Sequence, residues 1–297
     1  MYAQSELNYK IVNAIKTESY DNSQAYEMLN DITTLFGPRL SGTEKYMDAA
    51  TWAKNELESL GLDNVHFESY SDDFRNWSAK SFSIELLKPR YSKINTLPYA
   101  WVNQTKGVIK GVPVLVDHNN LEKLKKYSGK LRGKILLNPN VGNRDDVRTG
   151  PFTDEILAAA ANHNKPNNPD GLDNSGLEPF TESLKRKVSD KKETDVIQSL
   201  LLKERVAAVI TGSSSSPGII YARQLPYHKQ RDLKPVPHFV IGKEDHQLIV
   251  GMIEKGLNPE LKLHLKVDFK DVSENHVNIF GEIPGIDEKL KDQIVLI

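Results

Sequence analysis

Four short apolar runs, each bounded by chain-breaking residues, constrain this chain most. They are Val112-Pro113-Val114-Leu115-Val116, Gly133-Lys134-Ile135-Leu136-Leu137, Val206-Ala207-Ala208-Val209-Ile210 and Val236-Pro237-His238-Phe239-Val240-Ile241. Each is too short for a buried helix and has the length of a strand covered by other elements. Between them lie helical patterns at Leu121–Tyr127, Thr153–Ala161, Glu193–Glu204 and Glu244–Lys255. The alternation predicts an α/β region of short strands and helices from about Lys106 to Leu261. The stretch from Asn162 to Pro179, rich in Asn, Pro and Gly, reads as a long loop.

The flanks read differently. The first 62 residues are helical in pattern. Ser23 is placed to cap a helix whose apolar face is Ala25, Leu29, Ile32 and Phe36, and Gly37-Pro38 ends it. Ser41-Gly42-Thr43-Glu44 has the spacing of a capping box, with Ser41 bonding the backbone of Glu44. The helix that follows shows Tyr46, Ala49, Ala50, Ala53, Leu57 and Leu60 on one face, with Gly61 at its C-terminal stop. Val65–Tyr70 and Ser81–Leu86 alternate as half-buried strands do, and so do Leu261–Phe269 and His276–Ile283. The apolar run at Gln293–Ile297 has the character of a central strand.

Composition narrows the function. Thirty-nine basic residues against forty acidic leave a net charge of -1, so no general field draws nucleic acid or anionic lipid. The chain has no cysteine, which removes disulfides, thiol catalysis and thiolate metal sites together. No run of about 18 apolar residues is present to span a membrane. Met1–Ser5 is too short and polar for a signal peptide; Ala3-Gln4 fits either the scar of a cleaved one or an ordinary polar start.

Three stretches in order carry a resemblance. Phe36-Gly37-Pro38-Arg39-Leu40-Ser41-Gly42-Thr43 precedes a helix ending Glu56-Leu57-Glu58-Ser59-Leu60-Gly61-Leu62. A middle region with Leu131-Arg132-Gly133-Lys134-Ile135-Leu136-Leu137 and Ala207-Ala208-Val209-Ile210 resembles a protease-associated domain. Val277-Asn278-Ile279-Phe280-Gly281-Glu282-Ile283-Pro284-Gly285 then leads to Ile294-Val295-Leu296-Ile297. Together, from Tyr26 to Ile297, they resemble the zinc-dependent exopeptidases similar to carboxypeptidase Q (plasma glutamate carboxypeptidase) and its aminopeptidase relatives.

The resemblance implies an α/β peptidase domain of mixed sheet and helices, here the incomplete parts 1–104 and 262–297, with a protease-associated α/β domain inserted at 105–261. It implies two zinc ions, a peptide substrate, export to the periplasm or exterior, and compatibility with a homodimer. In that family a His-x-Asp motif directly follows the strand that reads Ile294-Val295-Leu296-Ile297 here. None of the eight histidines of this sequence has an Asp two residues on. No catalytic, metal or cofactor residue is therefore carried over, and the chain is expected to bind no zinc and to be inert by itself. The alternative is a non-catalytic protein that binds a peptide or partner through the protease-associated domain.

Other residues offer less. His66 and Glu68 put two donors on one strand face, too few to saturate zinc, and read as an outward polar face. Glu244-Asp245-His246 opens a helix, where acids favour the positive end of the dipole. His163 and Asp170 fall in the Asn/Pro loop, and Asp145-Asp146 in a turn. Thr211–Gly218 follows a strand but has neither a nucleophile-elbow nor a phosphate-loop spacing. Lys185-Arg186-Lys187 and Lys191-Lys192, balanced by Asp190, Glu193 and Asp195, read as a solvated helix face. Arg39 is read as guiding the turn between two helices, with a salt bridge to a metal domain as the alternative.

Overall fold

The computed structural model describes residues 9–141, 191–214, 218–222, 224–291 and 293–296. The predicted elements at Thr153–Ala161 and Asn162–Pro179 lie outside them. The chain forms two compact units, Met1–Asn76 with Asp271–Ile297, and Trp77–Lys270.

The first unit contains helices α1 (Tyr9–Asp21), α2 (Ala25–Phe36) and α3 (Glu44–Ser59), with strands β1 (Asp63–Ser69) and β11 (Val277–Glu282). Strands β1 and β11 pair antiparallel, Phe67 opposite Ile279. Helix α3 buries Ala49 and Ala50, small residues that let it approach the strand pair closely. Its start differs from the capping box read at Ser41. Because the helix begins at Glu44, Thr43 occupies the cap, and its hydroxyl accepts the Tyr46 N–H at 3.1 Å. The end follows the sequence. Gly61 takes φ +85°, its N–H donates to the Glu58 carbonyl, and the Leu62 N–H donates to the Leu57 carbonyl. That is the paired 6→1 and 5→2 closure which a left-handed glycine permits.

Helix α2 also departs from its predicted face. Met28, Ile32 and Phe36 are its half-buried residues, while Ala25 and Leu29 are exposed. Phe36 packs on Trp52 of α3, centroids 5.9 Å apart, and this contact sets which stripe turns inward. Gln24 is the cap residue and makes no side-chain cap bond.

The second unit holds two sheets. One has the order β3 (Ser92–Ile94), β2 (Asn76–Lys88), β10 (Glu260–Lys270), β5 (Ile109–Gly111). The other has the order β4 (Thr96–Pro98), β9 (His238–Ile241), β8 (Ala208–Gly212), β7 (Ile135–Leu137), β6 (Val114–Leu115). Of the run Val112–Val116, expected as one strand, only Val114–Leu115 is strand: β5 ends at Gly111 in the first sheet and β6 starts at Val114 in the second. Pro113 lies between them and has no N–H to give a ladder.

Strands β6, β7, β8 and β9 are parallel, with β4 antiparallel at the edge. Helix α4 (Leu121–Lys125) lies between β6 and β7 in the chain. Helix α5 (residues 191–203) precedes β8, and α6 (Lys243–Glu254) follows β9. Leu136, Val209 and Val116 from this sheet pack with Leu124, Leu131, Ile197, Leu201 and Val206 into one apolar cluster. The parallel strands advance in one direction only, 6-7-8-9, so this sheet has no point of reversal of the kind that opens a ligand crevice in doubly wound folds.

Residues 293–296 lie outside any strand, and Ile294, Val295 and Leu296 face solvent. The strand read from their apolar character is not formed.

Candidate functional site

Burial of polar groups, which must be satisfied or neutral, marks two places. In the second unit, three histidines converge on three consecutive residues of β8, the middle strand of its sheet. The His118 Nε2 faces the Ile210 carbonyl at 3.4 Å. The His238 Nε2 meets the Thr211 hydroxyl at 2.7 Å. His246 packs its ring directly on Gly212, where a Cβ would lie 2.7 Å from its Cγ.

Side chains alternate across a strand, so Thr211 and Gly212 address opposite faces of β8 and the imidazoles straddle it. Tyr99 stacks on His238 at 4.1 Å, and His118 meets the same ring edge-on at 5.5 Å. The His246 Nε2 donates to the Asn138 carbonyl at 2.7 Å, which fixes its tautomer and leaves Nδ1 without a proton. All three residues are at most 5% exposed.

Burial holds His118 down to about 4 and pushes His238 and His246 below the ordinary histidine range as well. These are neutral imidazoles at neutral pH. Buried within the fold, they hold structure.

In the first unit, Ser41, Tyr70 and His276 form a chain. The Ser41 hydroxyl donates to the His276 Nδ1 at 3.2 Å, and Tyr70 Oη contacts Ser41 Oγ. Since a carbonyl only accepts, the His276 Nε2–H donates to the Arg75 carbonyl at 2.9 Å, leaving Nδ1 as the acceptor. Arg75 pairs with Asp271, Nε to Oδ1 at 2.8 Å. A serine donating to an imidazole is the opening geometry of nucleophilic catalysis. Here, however, the imidazole is oriented by a carbonyl rather than a carboxylate, and the Gly42 N–H is already given to the Asn275 carbonyl. The chain ties the loop before α3 to the start of β11.

The residues singled out in the sequence are mostly kept apart. His66 gives Nδ1 to the Asn64 carbonyl and Nε2 to Glu68, 2.6 and 3.2 Å. The first of these bonds, then the second, raises its pKa. An imidazole favoured in its charged form is a poor metal ligand, and Phe280 stacks on its face.

Glu244, Asp245 and His246 turn three ways. Glu244 accepts the Gly218 N–H, Asp245 accepts the Asn95 N–H, and His246 is buried. Lys191 lies between Asp195 and Asp232 at 3.2 and 3.5 Å. Thr211 and Ser213, from the Thr211–Gly218 segment, are buried; Ser213 Oγ donates to the Ile219 carbonyl. Arg39 Nη1 donates to the carbonyls of Ile32 and Gly37, closing the end of α2. His163, Asp170, Asp145, Asp146 and Lys185-Arg186-Lys187 lie outside the described residues. Among the described residues no three His, Asp or Glu side chains gather as a metal site would require.

No family model matches the chain. Over 128 residues it is 28% identical to carboxypeptidase Q of Mus musculus, a match that covers 43% of this chain and 26% of the relative. A peptidase M28 precursor from Shewanella amazonensis SB2B superposes with TM-score 0.56 at 17% identity, over 93% of this chain and 54% of that one.

The chain shares the fold of part of that precursor.

BSAP, a zinc aminopeptidase from Bacillus subtilis, aligns at 16% identity and TM-score 0.45, over 88% of this chain and 47% of its own. This protein thus spans about half the length of the solved structures that it matches, and its match to the curated relative spans about a quarter of that relative. No helix among the described residues is long and apolar enough to cross a membrane.

The histidine layer has no spacing that reveals it. Its members are 120 and 8 residues apart in sequence (118 to 238, 238 to 246). The one cue is His238 standing inside an apolar run, where a polar residue must find a buried partner.

Proposed function

We propose that this chain is the scaffold portion of a two-zinc metallo-exopeptidase that hydrolyses dipeptides or short peptides from one end. The identity to carboxypeptidase Q carries the reading, and the fold shared with the M28 precursor is compatible with it. On this reading the parallel strands β6 to β9 of the second unit belong to an inserted protease-associated domain, 105–261, between the peptidase segments 1–104 and 262–297. Export from the cytoplasm and a homodimeric state accompany the same reading.

In such an enzyme a zinc pair supplies a water acidic enough to attack a peptide carbonyl at neutral pH. The described residues do not fit that pair, because no three potential ligands converge. No step of the zinc reaction is assigned to them. What they do is hold a frame: the Ser41–His276–Arg75 chain fixes the loop before α3 to β11, and Arg39 fixes the end of α2.

The test is a hydrolysis assay on a panel of dipeptides with added zinc, run on residues 1–297 and on the complete product of the gene. Turnover is expected from the complete product alone. Equal absence of turnover, with peptide binding retained, would replace the enzyme reading by that of a binding protein.

A further inference from the structure

The histidines clamped on β8 have a use that peptide hydrolysis does not require. The geometry points to an acid release built into the second unit: proton uptake by the His118–His238–His246 layer loosens β8 from β9 and α6.

Each imidazole has already spent its better-placed nitrogen. Nε2 of His238 is held by Thr211, whose hydroxyl also reaches the Phe239 carbonyl at 3.3 Å. Nε2 of His246 is held by the Asn138 carbonyl. The remaining Nδ1 atoms of both are buried and find no hydrogen-bond partner among the described residues. A proton arriving there adds a charged N–H with nothing to receive it, which is a large desolvation cost.

The facing groups offer little relief. From the loop after β6 comes His118 itself, edge-on to His238, so charge on one imidazole opposes charge on the other. Asp117 and a bond to the Asn119 side chain favour the charged form of His118, but burial outweighs them, and Asp117 is itself engaged by Lys123 at 2.9 Å. From the segment after β4 comes the Tyr99 ring, and from β7 the Asn138 carbonyl. Helix α6 contributes Glu244 and Asp245, whose carboxylates accept the backbone N–H groups of Gly218 and Asn95 instead.

The direction follows from linkage. These groups are held below their unfolded values, so an opened segment binds protons that the closed one refuses. Stability is fully present above about 6.5, falls as pH drops through that value, and levels off below the folded values. One imidazole held to about 4 favours opening roughly 20-fold more at pH 5 than at pH 7. Burial holds His238 and His246 down too, so they push the equilibrium the same way.

Amide exchange of the full chain at pH 7 and pH 5, corrected for intrinsic rates, tests this. Peptides covering Ala208–Gly212, His238–Ile241 and Lys243–Glu254 should lose protection by at least about 20-fold more than peptides of α3, where a single buried imidazole, His276, bears on the unit. His238→Phe keeps the stacking on Tyr99 and should weaken the acid response, leaving the shares of His118 and His246. Should that variant not fold, NMR titration of the unaltered protein still decides. Imidazoles that titrate near 6.5 in a fully protected second unit would overturn the proposal, as would equal loss of protection in both units.

Discussion

At the scale of single residues, the sharpest constraint is Gly212. It does not need a left-handed backbone; it needs space. A Cβ there would meet His246 Cγ at 2.7 Å and Val141 Cγ2 at 2.9 Å, closer than packed atoms tolerate. The His246 ring cannot swing aside without giving up its bond to Asn138. Gly212→Ala is therefore expected to cost about 1–3 kcal/mol as an overpacking change, read as a lower urea midpoint at unchanged slope. Gly281 makes the useful contrast. Its added Cβ would meet the far end of Leu62 at 2.8 Å, a side chain able to rotate away. Neither demand is visible in the sequence, where both glycines look like ordinary breaks in a strand.

At the scale of elements, the sequence was most legible where a local rule and a tertiary contact agree. Helix α3 shows both the agreement and its limit. Its length, its small-residue face and its Gly61 stop follow from spacing alone. Its cap does not: Ser41 matched a four-residue pattern, but Thr43 lies one residue before the first helical turn, and Ser41 is drawn off to His276. Thr43→Ala should cost about 1 kcal/mol as loss of a cap, seen as a lowered melting temperature. Ser41→Ala should leave helix content at the start of α3 unchanged by circular dichroism and amide exchange. The opposite ranking would restore the capping box. The short apolar strands were legible too, because burial on both faces leaves a continuous apolar run. The sheet holding β5 and β10 was not, since its pairing depends on residues more than a hundred positions apart, as between Gly111 of β5 and Leu261 of β10.

At the scale of the whole molecule, the fold was legible as mixed α/β through a resemblance, and the fold shared with the M28 precursor agrees. The histidine layer and the serine–histidine chain were not legible, since each is assembled by folding from positions that no motif joins. Solvent-facing apolar side chains gather in two stretches of the first unit, Tyr9 to Leu35 and Ile283 to Leu296. Ile286 is 98% exposed and Ile294 92% exposed, although burying such a side chain is worth about 1.5–3 kcal/mol.

On the proposed function, these residues frame a zinc exopeptidase without holding its metals. Zinc per polypeptide, measured by elemental analysis after dialysis against micromolar zinc, tests it most directly when residues 1–297 are compared with the complete gene product. About two zinc ions are expected on the complete product, as a paired-metal site requires, and none retained by residues 1–297. The same zinc content in both, whether two or none, would contradict it.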